Sequence, residues 1–284
     1  MESAIWILIA IVEYCLASDN VTIQTNKQVE KENLMIFHTL DSVLDVFNTE
    51  EHSKNAAVQK VIYDFNHVCL GYKRRQPKIY QKQQPFIAIE GNHRTSRKII
   101  ARRLARKIGG SFLQNPPNCL IGHRANFPYG SVLRRAYFGL SVYAAACVAS
   151  RMLTRTPVVL NGYWLDQTAF TISRAYTGLD IPPKDSPMYK WPPDLLKPDL
   201  TFYVDCPEGI HNISTRVPDI WKKSYRQVYS NMKDDSLFEI STSQGFASAL
   251  EMIDNIIVEK LSDQFDMTLT ERPPRNPRNR MPYI

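Results

Sequence analysis

The sequence predicts an α/β domain built on a parallel sheet with helices on both faces. Three observations carry that prediction. Short unbroken apolar runs stand at Phe86–Ile89 and Pro157–Leu160, without the polar alternation of a half-exposed strand, and a third strand reads at Leu200–Asp205. The stretches between them are long enough, and apolar at the right spacing, for helices. The first run also leads through Glu90-Gly91 into a basic helical stretch, which is the strand–loop–helix outline of a phosphate-binding loop.

The elements follow in order. Residues 1–80 read as a helical extension, with apolar spacing in Leu34–Phe47 (Leu40, Val43, Leu44, Phe47) and in Val58–Val68 (Val58, Val61, Ile62, Phe65) around a polar link, 48–55. Residues 72–84 are a basic, polar linker. From Phe86 the pattern gives a strand at 86–90, a helix at 96–108 and a loop holding Pro116, Pro117 and Pro128. A long helix then spans 131–154, followed by a strand at 157–160 and a helix at 165–177. A Pro-rich loop at 181–198 leads to a strand at 200–205, a helix at 220–232, a short strand at 237–240 and a last helix at 244–261. The main domain is thus 84–262. Beyond it, Arg272, Arg275, Arg278 and Arg280 alternate with prolines in a tail, 263–284, that reads as disordered.

At 284 residues the chain suits one domain with extensions. Its net charge of +7 implies an anionic partner without identifying it. The five cysteines contain no CxxC pair and no zinc-like spacing, which predicts no metal site, reduced thiols and an intracellular protein. The apolar stretch Ala4–Val12 is too short to span a membrane, so no transmembrane segment is expected. Glu2 and the lack of Lys or Arg before that stretch argue against a secretory signal.

The loop after the first strand carries the chemistry. Gly91, Asn92, His93, Arg94, Thr95 and Ser96 are the candidate nucleotide-binding residues, followed by Arg97 and Lys98. The P-loop spacing asks for Gly-Lys-Ser/Thr where Ser96, Arg97 and Lys98 stand. Ser96 has a Cβ that resists the close curl of backbone around a phosphate. Arg97 keeps a positive charge but presents a planar fork of different reach. Lys98 cannot ligate Mg²⁺ and would repel it. A helix start this rich in cations would still attract an anion.

Three segments together resemble the thymidylate kinase family of P-loop nucleoside monophosphate kinases, nearest its mitochondrial UMP–CMP kinase branch. They are Phe86–Arg97, the stretch from Leu133-Arg134-Arg135-Ala136-Tyr137-Phe138 through Pro157 to Trp164, and Trp191-Pro192-Pro193-Asp194-Leu195-Leu196-Lys197-Pro198-Asp199-Leu200. The resemblance covers residues 84–262. It implies a P-loop NTPase-like three-layer sandwich with five parallel strands, and transfer of a phosphoryl group from MgATP to a pyrimidine nucleoside monophosphate. It also implies a mitochondrial or cytoplasmic location rather than secretion, and a homodimer through helix 131–154.

Carried over residue by residue, the resemblance makes Arg97, Lys98 and the lid residue Arg216 the catalytic candidates. Lys222, Lys223 and Arg226 stand close enough behind Arg216 to substitute for it. Arg124, Arg134, Arg135, Tyr143, Asn161 and Tyr163 become the acceptor-binding candidates. The family's Asp-Arg-Tyr after the second strand reads Asn161-Gly162-Tyr163 here, which removes a metal-side carboxylate and a guanidinium. His93 and His123 look isolated, Asp166 and Ser173 lack a nucleophilic arrangement, and Trp164 and Trp191 read as packing residues. Three readings stay open. One is a pseudokinase with residual nucleotide binding and an unidentified protein partner. The second is an active kinase using Mg²⁺ and ATP on a divergent loop. The third is a basic nucleic-acid or protein interaction module.

Overall fold

The computed structural model describes residues 34–71, 82–176, 180–207 and 219–265. A five-stranded sheet runs β2-β3-β1-β4-β5, parallel throughout. Its strands are β1 (Phe86–Gly91), β2 (Ser111–Gln114), β3 (Val158–Asn161), β4 (Leu200–Asp205) and β5 (Leu237–Ser241). The burial of each strand follows its place in that order. The inner strands β1, β3 and β4 are buried at every residue and read as continuous apolar runs. The edge strand β2 is half-buried throughout, and its two apolar residues, Phe112 and Leu113, form no such run. That is why a loop was expected there and a fifth strand stands instead.

The main-domain helices are α4 (Arg94–Lys107), α5 (Val132–Met152), α6 (Trp164–Ala175), α7 (Asp219–Asn231) and α8 (Phe246–Leu261). Side chains alternate across β1. Ile87 and Ile89 face a core shared with α4 and α8, whereas Phe86 and Ala88 face one shared with α5, α6 and α7. The result is the three-layer, P-loop NTPase-like arrangement that the motifs implied. α5 is long and apolar enough to cross a membrane, but it lies in the core and half or more of it is buried.

The N-terminal extension contributes α1 (Leu40–Asn48), the single turn α2 (Glu50–Ser53) and α3 (Ala56–Asp64), which runs into a π-turn, Phe65–Cys69. α1 starts at Leu40 rather than Leu34 because Thr39 and Ser42 form a capping box there. Its apolar face (Val43, Phe47) and that of α3 (Val58, Val61) join the α5 core.

Cys69 and Cys119 are joined by a disulfide, which corrects the expectation of reduced thiols for this pair. Fifty residues apart in sequence, they reach bonding distance only because the π-turn packs beside the loop after β2. Cys147 and Cys206 are free, and Cys15 lies outside the described residues.

Candidate functional site

The carboxyl ends of β1, β2 and β3 open into a cavity of about 800 Å³, also walled by α5, α6 and residues 34–37. Parallel sheets place ligands at this edge, where the strand order reverses. Seven arginine and lysine side chains line the cavity against a single carboxylate, Asp166, so its field favours an anion. Burial lowers the Arg94 pKa, and the neighbouring positive charges of Arg124 and Arg97 lower it further. The cations crowd one another and an anion would relieve them.

Gly91 ends β1 at φ +148. A Cβ there would lie 2.2 Å from the Val204 carbonyl oxygen, so only glycine lets β1 meet β4 this closely. The loop beyond is filled by its own side chains. Helix α4 begins at Arg94, two residues earlier than expected, because His93 caps it. The Ser96 N–H donates to His93 Nδ1 (3.3 Å), and Ser96 Oγ lies 2.7 Å from the same nitrogen. A phosphate in a P-loop takes such helix N–H groups. Asn92 donates from Nδ2 to Asp205 (2.7 Å) and accepts the Cys206 N–H (3.0 Å), while Arg226 holds the other Asp205 oxygen at 2.6 Å.

Arg97, at the P-loop lysine position, stands in the cavity wall with its guanidinium taken up by protein partners. Its guanidinium pairs with Asp166 and donates to the Gly91 carbonyl (3.1 Å). Burial opposes its charge, but Asp166 more than compensates and the pKa is raised. Tyr225 completes the cluster with a 2.5 Å hydrogen bond to Asp166. Asp166, unassigned from sequence, is thus the partner that decides where Arg97 points. Its place in the first turn of α6, five residues past the end of β3, was the only local signal.

Deeper still, Glu90 is 1% exposed and accepts the Tyr163 N–H (3.1 Å) and the Tyr229 hydroxyl (2.8 Å). Burial, then the Asp166 charge, pushes its carboxyl up to about 8.

Of the expected site residues, Gly91, Asn92, Arg94, Arg97, Lys98, Arg124, Arg134, Arg135, Tyr143 and Asn161 all line the cavity. His93 and Ser96 form the cap just described, Thr95 is exposed, and Arg216 lies outside the described residues. Tyr163 is corrected from acceptor residue to core residue. It is fully buried, with its hydroxyl donating to the Leu196 carbonyl (2.8 Å). Tyr143 donates to Asp194 (2.8 Å), whose other oxygen accepts the Leu40 N–H (2.7 Å) and so ties the Trp191–Leu200 string to the start of α1.

The loop after β2 is likewise tied down. His123, far from isolated, pairs with Asp64 at 2.7 Å beside the Cys69–Cys119 bond. Asn161 Oδ1 and both side-chain polar atoms of Asn115 are buried without a hydrogen-bond partner on the cavity wall. Such orphaned groups cost free energy until a ligand or water meets them.

No family model matches the chain. It is 32% identical over 128 residues to the human mitochondrial UMP-CMP kinase 2, a match covering 44% of this chain and 28% of that protein. The chain therefore spans less than a third of the curated relative it matches. Among solved structures, the Candida albicans thymidylate kinase superposes with a TM-score of 0.49 at 16% identity, covering 62% of this chain and 92% of that one. The NadR protein in complex with NR gives 0.43 at 14% identity, covering 67% and 53%. Over those 128 residues the chain is similar to a nucleoside monophosphate kinase.

Proposed function

We propose that this chain is a nucleoside monophosphate kinase-like protein that binds a pyrimidine nucleoside monophosphate in its cavity and does not transfer phosphate to it. One observation carries the reading: Arg97, the residue at the P-loop lysine position, is paired with Asp166 in the cavity wall instead of standing free for a phosphate. The other residues of the loop do not fit MgATP either. His93 already takes the Ser96 N–H, Ser96 is buried beneath it, and Asn92 and Arg226 hold both oxygens of Asp205.

The acceptor side is better supplied. Arg94 and Arg124 face the cavity for a phosphate, and Asn115 and Asn161 offer unpartnered polar atoms for a base. Lys98 also lines the cavity, and that observation favours the alternative of an active kinase in which Lys98 takes over the lysine role.

We read the chain as a monomer. α1 and the π-turn pack along α5 and take up apolar surface that a homodimer through this helix would need. The name of the relative, a mitochondrial kinase, supports a mitochondrial location. The Cys69–Cys119 bond fits maturation where thiols oxidise, which counts against the cytoplasm and against any reducing mitochondrial space.

Calorimetric titration with CMP, UMP, dTMP and ATP, with and without Mg²⁺, tests the reading. The expected result is micromolar binding of one monophosphate, about −8 kcal/mol, weakened at least tenfold in Arg124→Ala, with no ATP binding at millimolar concentration. Mg²⁺-dependent ATP binding together with diphosphate formation would establish the kinase instead.

A further inference from the structure

One wall of the cavity is a ladder of alternating arginines and aromatic rings. Arg124 lies 5.9 Å from the Phe138 centroid, and Arg134 lies 5.7 Å from Phe138 and 5.9 Å from Tyr129. Arg174 continues it, 5.6 Å from Tyr129 and 5.6 Å from Phe170. All six side chains line the cavity. They come from the 3₁₀ turn Ile121–Asn126, the loop before α5, α5 itself and α6, so no contiguous motif announces them.

None of the three arginines forms an ion pair with a carboxylate among the described residues. Arg134 is fixed in place by the carbonyls of Arg124 (3.0 Å) and Phe127 (2.7 Å). The ladder also runs outward. Phe138 is half-buried, Phe170 is 40% exposed and Tyr129 is 72% exposed at the mouth.

A free mononucleotide has one base and one phosphate, and the inner groups alone satisfy it. Three guanidinium planes interleaved with three rings match a ligand that repeats base and phosphate. Bases stack on aromatic faces whatever their identity, and guanidinium forks pair with phosphates. A ladder that leaves the cavity fits a ligand that also leaves it.

We propose that the cavity receives the phosphorylated end of a single-stranded nucleic acid. The terminal nucleotide sits inside, and the next ones stack along Tyr129, Arg174 and Phe170 at the mouth. This rests on the reading that the interior takes a nucleotide.

Fluorescence anisotropy with six-nucleotide strands carrying a 5′-phosphate, a 3′-phosphate or neither, beside calorimetry with CMP, tests the proposal on the full chain. One phosphorylated strand is expected to bind at least tenfold more tightly than CMP and than the unphosphorylated strand. The logarithm of its affinity should fall against log salt with a slope of about −2, and Arg174→Ala should remove about 0.7 of that slope. Arg174→Ala and Phe170→Ala, both at exposed positions, should each weaken the strand at least fivefold more than they weaken CMP. A strand that binds no better than CMP, or a phosphate that makes no difference, overturns the proposal and leaves the mononucleotide reading standing. So does an equal loss of CMP and strand binding in both variants. Absence of binding by CMP and by every strand overturns both readings.

Discussion

The guanidinium of Arg97 fills the space beside Gly162. A Cβ built on Gly162 would lie 3.4 Å from Arg97 Nη2 and 3.3 Å from Asp166 Oδ2, with the backbone at φ +78. The two departures from the family pattern, arginine at position 97 and glycine at position 162, are therefore one packing solution. A side chain at 162 and an inward guanidinium at 97 compete for the same volume. Gly162→Ala is expected to lower stability by about 1–2 kcal/mol, from left-handed backbone strain plus the tight contacts, as read by chemical denaturation. A stabilised Gly162→Ala variant would mean that Arg97 readily swings away.

Arg97→Met should cost more, about 3–5 kcal/mol, because it leaves Asp166 buried with only Tyr225 beside it. The double variant with Asp166→Asn should recover most of that loss. A double-mutant cycle measures the coupling, and a near-zero coupling energy would place Arg97 in the solvent-facing role the kinase alternative needs.

Glu90 makes stability fall as pH rises. Its carboxyl sits at about 8 in the fold against 4.5 in the unfolded chain, so the folded state holds the proton more tightly. That stabilisation is complete below about pH 4.5 and disappears as pH rises through about 8. Relative to Glu90→Gln, the natural chain should lose up to about 5 kcal/mol across that window. Thermal melts of both proteins at pH 5 and pH 8.5 provide the comparison, and parallel shifts would place the Glu90 proton in water.

The Cys69–Cys119 bond closes a loop of fifty residues and holds the N-terminal helices against the loop after β2. Chain entropy assigns such a loop about 4 kcal/mol. Cys69→Ala with Cys119→Ala should lower the melting temperature, and alkylation under non-reducing conditions should label neither cysteine in the natural chain. Full labelling of both would show that the thiols are reduced.

The strand–helix alternation, the inner strands and the phosphate-loop outline were legible because burial on both sheet faces demands unbroken apolar runs, and the chain writes those runs in sequence. β2 was not, since only Phe112 and Leu113 of its four half-buried residues are apolar. The altered residues at 96–98 and 161–162 were equally legible as departures from a pattern.

What those departures do was decided only in three dimensions. Asp166 captures Arg97, His93 caps α4, Cys69 finds Cys119, and three arginines interleave with Phe138, Tyr129 and Phe170 across segments far apart in the chain. Hydrophobic periodicity is a property of neighbours along the chain, so the sequence carries it directly. The direction of a charged side chain depends on which partner the fold brings within a few ångströms, and that information exists only once the sheet has assembled.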